Sequence, residues 1–262
     1  MSMTSPTTEQ TIPLRTGIYL YCIVDRSMIP QTLWKISGLC GQPLKIIHYR
    51  DISAVVSDVQ GDRQRATRDN LLTHTLVLEK ILEHQQLLPI RFGIMASCEE
   101  DIVNNILKEH YWNFHEILQG LKGKKELGVK VLWNQAAIIQ EILGQDEQIC
   151  HLRDSLAGQE EDSIYYEKIK LGKLVEAALQ SKRAQLQSTI IEALAPLAIE
   201  YRENKLLSEA MVVNAAFLVP AENEPDFDQR LNELANKYDN TLRFKYTAVA
   251  PPYNFVNISI CL

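Results

Sequence analysis

Residues 17–24, GIYLYCIV, form an unbroken run of β-branched and aromatic residues of strand length, the pattern of a central strand. After the glycine-punctuated SGLCGQP (37–43), the segment PLKIIHYRDISAVVSDV (43–59) places apolar runs on either side of Asp51. That arrangement predicts a hairpin with strands near 44–50 and 53–58. Residues 68–86 carry Leu71, Leu72, Thr75, Leu76, Leu78, Ile81 and Leu82 three and four apart, which predicts an amphipathic helix ending before Pro89. LLPIRFGIMAS (87–97) then reads as a strand with a charge at its centre. Alternation puts Leu88, Ile90, Phe92, Ile94 and Ala96 on one face and Leu87, Pro89, Arg91, Gly93 and Met95 on the other. Ser97 and Glu100, ahead of Ile102, Val103, Ile106 and Leu107, predict a capping box and a helix that continues through Tyr111, Phe114 and Leu118.

In the second half, VKVLW (129–133) reads as a strand, and 134–205 as two helices separated near AGQEED (157–162), the second running from Ile164 to Tyr201. Gly172 should weaken that second helix and Pro196 should kink or restart it. The tail alternates again: strand at 209–219, helix at 225–238, strands at 241–249 and 254–260 around Pro251 and Pro252. Strands interleaved with helices give an α+β or α/β layout with a βαβ-like unit in each half.

Composition is that of a globular chain, 46% hydrophobic and 23% charged over 262 residues. The net charge of −6 repels a phosphate backbone, so nucleic acid is not an expected partner. No apolar stretch approaches the ~20 residues that cross a bilayer, and the polar start MSMTSPTTEQTIP lacks a secretory pattern, so no lipid membrane and a cytoplasmic origin are expected. Residues 1–15 read as a disordered tail.

The candidate chemistry is sparse. Five scattered cysteines without a C-x-x-C suggest neither disulfides nor a zinc knuckle. His110 and His115 stand five apart, on different faces of a helix, and no acidic ligand completes a metal pattern. No metal and no cofactor are therefore expected. Cys40, between two glycines, could be approached by a substrate, yet no base stands nearby in the sequence. Arg91 must be paired if it is buried; its expected role is to tie its strand to an acidic neighbour. What remains is amphipathic surface, the material of a protein that binds other proteins.

The blocks GIYLYCIV (17–24), RDISAVVSDV (50–59), LPIRFGIMASCEEDIVNNIL (88–107), GKKELGVKVLWN (123–134) and PPYNFV (251–256) come in one order that resembles the gas vesicle protein F/L family. Those proteins are accessory to the gas-filled shells of floating microbes. One departure stands out: Thr247, Ala248, Val249 and Ala250 occupy positions where family members commonly carry Gly-Pro-Trp. The resemblance marks Arg91, Phe92, Gly93, Pro251, Pro252, Tyr253 and Phe255 as signature residues with a structural role and supplies no catalytic residue. It implies a non-enzymatic structural or assembly protein of the gas vesicle that binds the major shell protein, and other accessory gas vesicle proteins, with the inner, gas-facing wall as one location.

Pattern and resemblance together lead us to expect a β-rich N-terminal domain with two amphipathic helices over 16–125. A C-terminal domain with long helices and a modified ferredoxin-like βα unit should cover 126–262. The rival reading is a small-molecule or nucleotide-binding enzyme on a ferredoxin-like scaffold, with Cys40 or a histidine as its reactive group.

Overall fold

The computed structural model describes residues 16–26, 36–61, 63–157, 165–258 and 260. The expected tail at 1–15 lies outside them. The chain divides into two compact units: one runs up to Lys122 and resumes at Pro251, and the other is Gly123–Ala250. This boundary differs from the expected one at both ends. Lys124 and Lys125 belong to a strand of the second unit's sheet, and the residues after Ala250 return to the first.

In the first unit, β1 (Thr16–Asp25), β2 (Leu44–Tyr49), β3 (Ile52–Gln60) and β4 (Leu87–Pro89) form an antiparallel sheet in the order β2-β3-β1-β4, with the short β5 (Met95–Ala96) also beside β1. The hairpin around Asp51 is as expected: Tyr49 faces Ile52, and Arg50 takes the left-handed φ of +52° in the turn. Asp51 accepts the Tyr111 hydroxyl at 2.6 Å, which holds its carboxyl below the usual range, and lies 3.1 Å from His115 Nδ1. The hairpin tip is thereby tied to α3 (Tyr111–Leu121). Helix α1 (Arg68–Leu82) is capped by the Thr67 hydroxyl, which accepts the Asn70 N–H at 3.2 Å. It buries His74, Val77, Leu78 and Ile81 against Tyr19, Tyr21, Cys22 and Val24 of β1. Each apolar member of that stripe contributes about 1.5–3 kcal/mol through burial. Leu20, Ala54 and Val56, which alternate with these along β1 and β3, are equally buried, and α3 packs on that sheet.

Three expectations fail in this unit. First, 87–97 is not one strand. β1 residues Cys22 and Tyr19 pair with Pro89 and Met95, so three more residues lie on the opposing side than the ladder uses. Ile90 N–H donates to Tyr21 O and Leu20 N–H to Ile94 O, and Arg91, Phe92 and Gly93 bulge out between these bonds. Gly93, with φ +98°, allows the reversal. Second, no capping box forms at Ser97. Cys98 takes the extended N-cap conformation without a side-chain bond, α2 (Glu99–Asp101) opens into wide π-helical turns over Ile102–Lys108, and α3 starts separately. Third, the expected strand does not form at 254–258: 253–255 is a turn, with Tyr253 N–H bonded to Pro251 O and Phe255 N–H to Pro252 O, and 256–258 is irregular.

The second unit contains β6 (Lys124–Trp133), α4 (Gln135–Gln145), α5 (Glu147–Leu156), α6 (Tyr165–Leu194), β7 (Glu200–Glu203), β8 (Met211–Pro220), α7 (Glu224–Lys237) and β9 (Leu242–Ala250). Its antiparallel sheet runs β7-β8-β6-β9, which is the strand order of a ferredoxin-like βαββαβ unit whose first crossover has grown into three helices. Three helices replace the expected two because Asp146 caps a new one, its carboxylate accepting the Ile149 N–H at 3.1 Å. Gly172 lies within an unbroken α6, and Pro196 ends that helix in a short 3-10 turn, so Tyr201 falls in a strand. Leu186, Ile190 and Leu194 of α6, Phe227 and Leu231 of α7, and Val129, Val131 and Phe217 of the sheet share one core.

Candidate functional site

The two signature blocks meet in the first unit, around a buried histidine. Tyr19 and Tyr21 lie two apart on β1, so both fully buried rings rise from one face, 4.9 Å apart, under α1. His74 lies on them, stacked on Tyr21 at 5.6 Å and edge-on to Tyr19 at 5.7 Å. Its Nε2 is 3.1 Å from Ile90 O, a carbonyl that can only accept, so Nε2 carries the proton and Nδ1 is an acceptor. Tyr19 therefore donates to Nδ1 at 2.9 Å and accepts the Gly93 N–H at 3.2 Å. The Tyr253 hydroxyl stands 3.0 Å from Nε2 and donates to Ile90 O at 3.2 Å. Phe92 completes the cluster, 5.6 Å from the Tyr19 ring and 5.7 Å from His74.

The electrostatics follow from this packing. Burial disfavours the imidazolium, lowering the His74 pKa from 6.5 to about 4, against the Ile90 carbonyl, which raises it. Burial likewise pushes the Tyr19 and Tyr253 hydroxyls up. The cluster is a neutral, satisfied network that fixes the bulge at 91–93 and the turn at 251–255 to one another.

Beside this network lies a cleft of about 260 Å³ whose walls include Ile90, Ile94, Tyr253, Val256, Ile258 and Ile260, with Arg91 also lining it. Arg91 is exposed, off the apolar face, and among the described residues no carboxylate pairs with it, so the expected tie to an acidic neighbour is not formed there. Of the other signature residues, Phe92 and Gly93 enter the histidine network, Pro251 and Pro252 are buried at the start of the turn, and Phe255 is half-buried beyond it. His74, Tyr19 and Tyr21 were missed by sequence reasoning. The histidine's place among inward positions of α1 was the available signal.

Among the described residues no cluster of three or more His, Cys, Asp or Glu could hold a metal. Cys40 is exposed at a left-handed φ of +55°, and His48 is bonded to Ser53 at 2.8 Å. No helix among the described residues is long and apolar enough to cross a membrane.

The structure thus combines a satisfied histidine network and an isoleucine-lined cleft in the first unit with a ferredoxin-like unit in the second. The family model described as gas vesicle synthesis protein GvpL/GvpF matches residues 17–257, and the chain belongs to that family. It is 32% identical to gas vesicle protein F of Nostoc sp. over 94% of this chain and 100% of that one, and 30% identical to that of Dolichospermum flosaquae over 92% and 98%. The crystal structure of GvpF from Anabaena sp. PCC7120 superposes with a TM-score of 0.82 at 32% identity, covering 93% of this chain and 99% of that one. For GvpF from Microcystis aeruginosa the TM-score is 0.76 at 26% identity, covering 92% and 99%. These relatives place the protein among gas vesicle proteins.

Proposed function

We propose that this protein binds the major shell subunit during nucleation or growth of the gas-filled shell, and that the cleft in the first unit is where an apolar segment of the subunit docks. A shell that keeps liquid water out needs a very apolar inner face, and its unassembled subunits would aggregate through that surface. An acidic carrier with an apolar cleft can cover such a segment until it reaches the growing edge. The observation that supports this reading is the isoleucine-lined cleft built from both signature blocks. Other accessory gas vesicle proteins are further partners on this reading, and the inner, gas-facing wall is its final location.

Capture of purified shell protein tests it. Wild-type protein should retain the shell subunit, and Ile94→Asp should lose it at an unchanged melting temperature. Equal capture by both would overturn the assignment of the cleft. Surface labelling tests the location: label on the protein in intact vesicles, rather than only after they are broken, would count against the inner wall.

A further inference from the structure

The second unit carries a feature that the cleft does not use. β9 is the last strand of its sheet, pairs among the described residues only with β6, and past Leu242, whose N–H bonds Tyr238 O, leaves its outer edge without a ladder partner among them. Over 242–247, before a bulge in its pairing with β6, its side chains alternate between the two faces. Phe244 and Tyr246 are half-buried and pack on the helix-side core, so each ring keeps part of its surface exposed at the border of the sheet, with Asp228 of α7 beside the Tyr246 hydroxyl. Arg243 and Lys245 are exposed on the opposite face, and Lys245 lies directly across from the exposed Lys130 of β6. No carboxylate among the described residues pairs with any of these three cations. Two like charges facing one another across a ladder destabilise the sheet. In a chain of net charge −6, that concentration of uncompensated positive charge is a local feature the fold does not need.

We propose that the β9 edge is a second docking surface, which accepts an extended protein segment alternating apolar residues with carboxylates as a fifth strand of this sheet. Main-chain hydrogen bonds along the edge supply affinity, and alternate side chains supply choice. The segment's apolar side chains extend the core past Phe244 and Tyr246, while its carboxylates face Arg243, Lys245 and Lys130. The same cations oppose pairing of β9 with β9 of another copy, since both edges are positive.

A fluorescent Glu-Val alternating peptide of nine residues, matched to β9 in length, probes this edge, with a Lys-Val peptide as counterpart. Wild-type protein should bind the acidic peptide at least about tenfold more tightly than the basic one. Arg243→Glu/Lys245→Glu should invert that preference, and N-methylation of alternate peptide amides should abolish binding to both proteins. The milder Lys245→Gln should weaken the acidic peptide and serves if the double variant fails to fold. Hydrogen exchange of β9 amides should slow on binding. Equal affinity for the two peptides, binding that survives N-methylation, no saturable binding at all, or dimerisation of the unliganded protein through β9 would each overturn the proposal. Ile94→Asp should leave peptide binding intact, which separates this surface from the cleft.

Discussion

His74 makes the first unit acid-sensitive, and the size of the effect follows from its surroundings. The imidazole is 3% exposed, its two nitrogens are engaged by Tyr19, Ile90 and Tyr253, and its pKa falls from 6.5 to about 4. The unfolded chain thus takes up a proton near pH 6.5, while the folded chain refuses it until about pH 4. Between those values the unfolded state holds more protons, so stability is complete above the higher value and falls as pH drops towards the lower. At 1.36 kcal/mol per unit the whole loss is about 3 kcal/mol, of which about 2.5 kcal/mol appears by roughly pH 4.5.

His74→Gln keeps a donor and an acceptor but cannot take a proton. Hydrogen exchange read by mass spectrometry reports each unit separately. Between about pH 7 and pH 4.5, β1 amides of the wild type should lose about 2.5 kcal/mol more protection free energy than those of the variant, after correction for intrinsic exchange, while β8 amides should not distinguish the two proteins. An equal loss in wild type and variant would refute the reasoning, because the titrating group would then lie elsewhere.

Other changes probe the same unit. Tyr253→Phe removes the hydroxyl shared by His74 and Ile90 and should cost about 1 kcal/mol in urea unfolding. Gly93→Ala introduces a Cβ with nothing within 4 Å, so its cost, about 1–2 kcal/mol by thermal melting, comes from the backbone at φ +98° alone. Gln85 is 7% exposed with neither amide atom hydrogen-bonded among the described residues, so Gln85→Leu should raise stability by about 1 kcal/mol.

The regular elements were legible where local pattern decides them. GIYLYCIV is the central strand because every position in it is covered, and the runs flanking Asp51 had to pair across a two-residue turn. The 87–97 segment misleads because its alternation is real, yet Gly93 and the ladder bonds of Ile90 and Ile94 turn three residues out of it. Asp146 could have been read as a cap and was overlooked within a helical composition. The histidine network was beyond the reach of local pattern: Tyr19 is 55 residues from His74 and Tyr253 is 179 residues away. Arg91 raised the right question at the wrong scale, since it needs no buried partner once its segment bulges into solvent beside an apolar cleft.

The most direct test is to place a photo-crosslinking residue at position 94 and irradiate cells that are building vesicles. If the cleft carries the shell subunit, the crosslinked product should contain that subunit, and Val256→Asp, elsewhere in the cleft lining, should abolish it. Crosslinks that lack the shell subunit in cells that still float, with the tagged protein fully folded, would contradict the account.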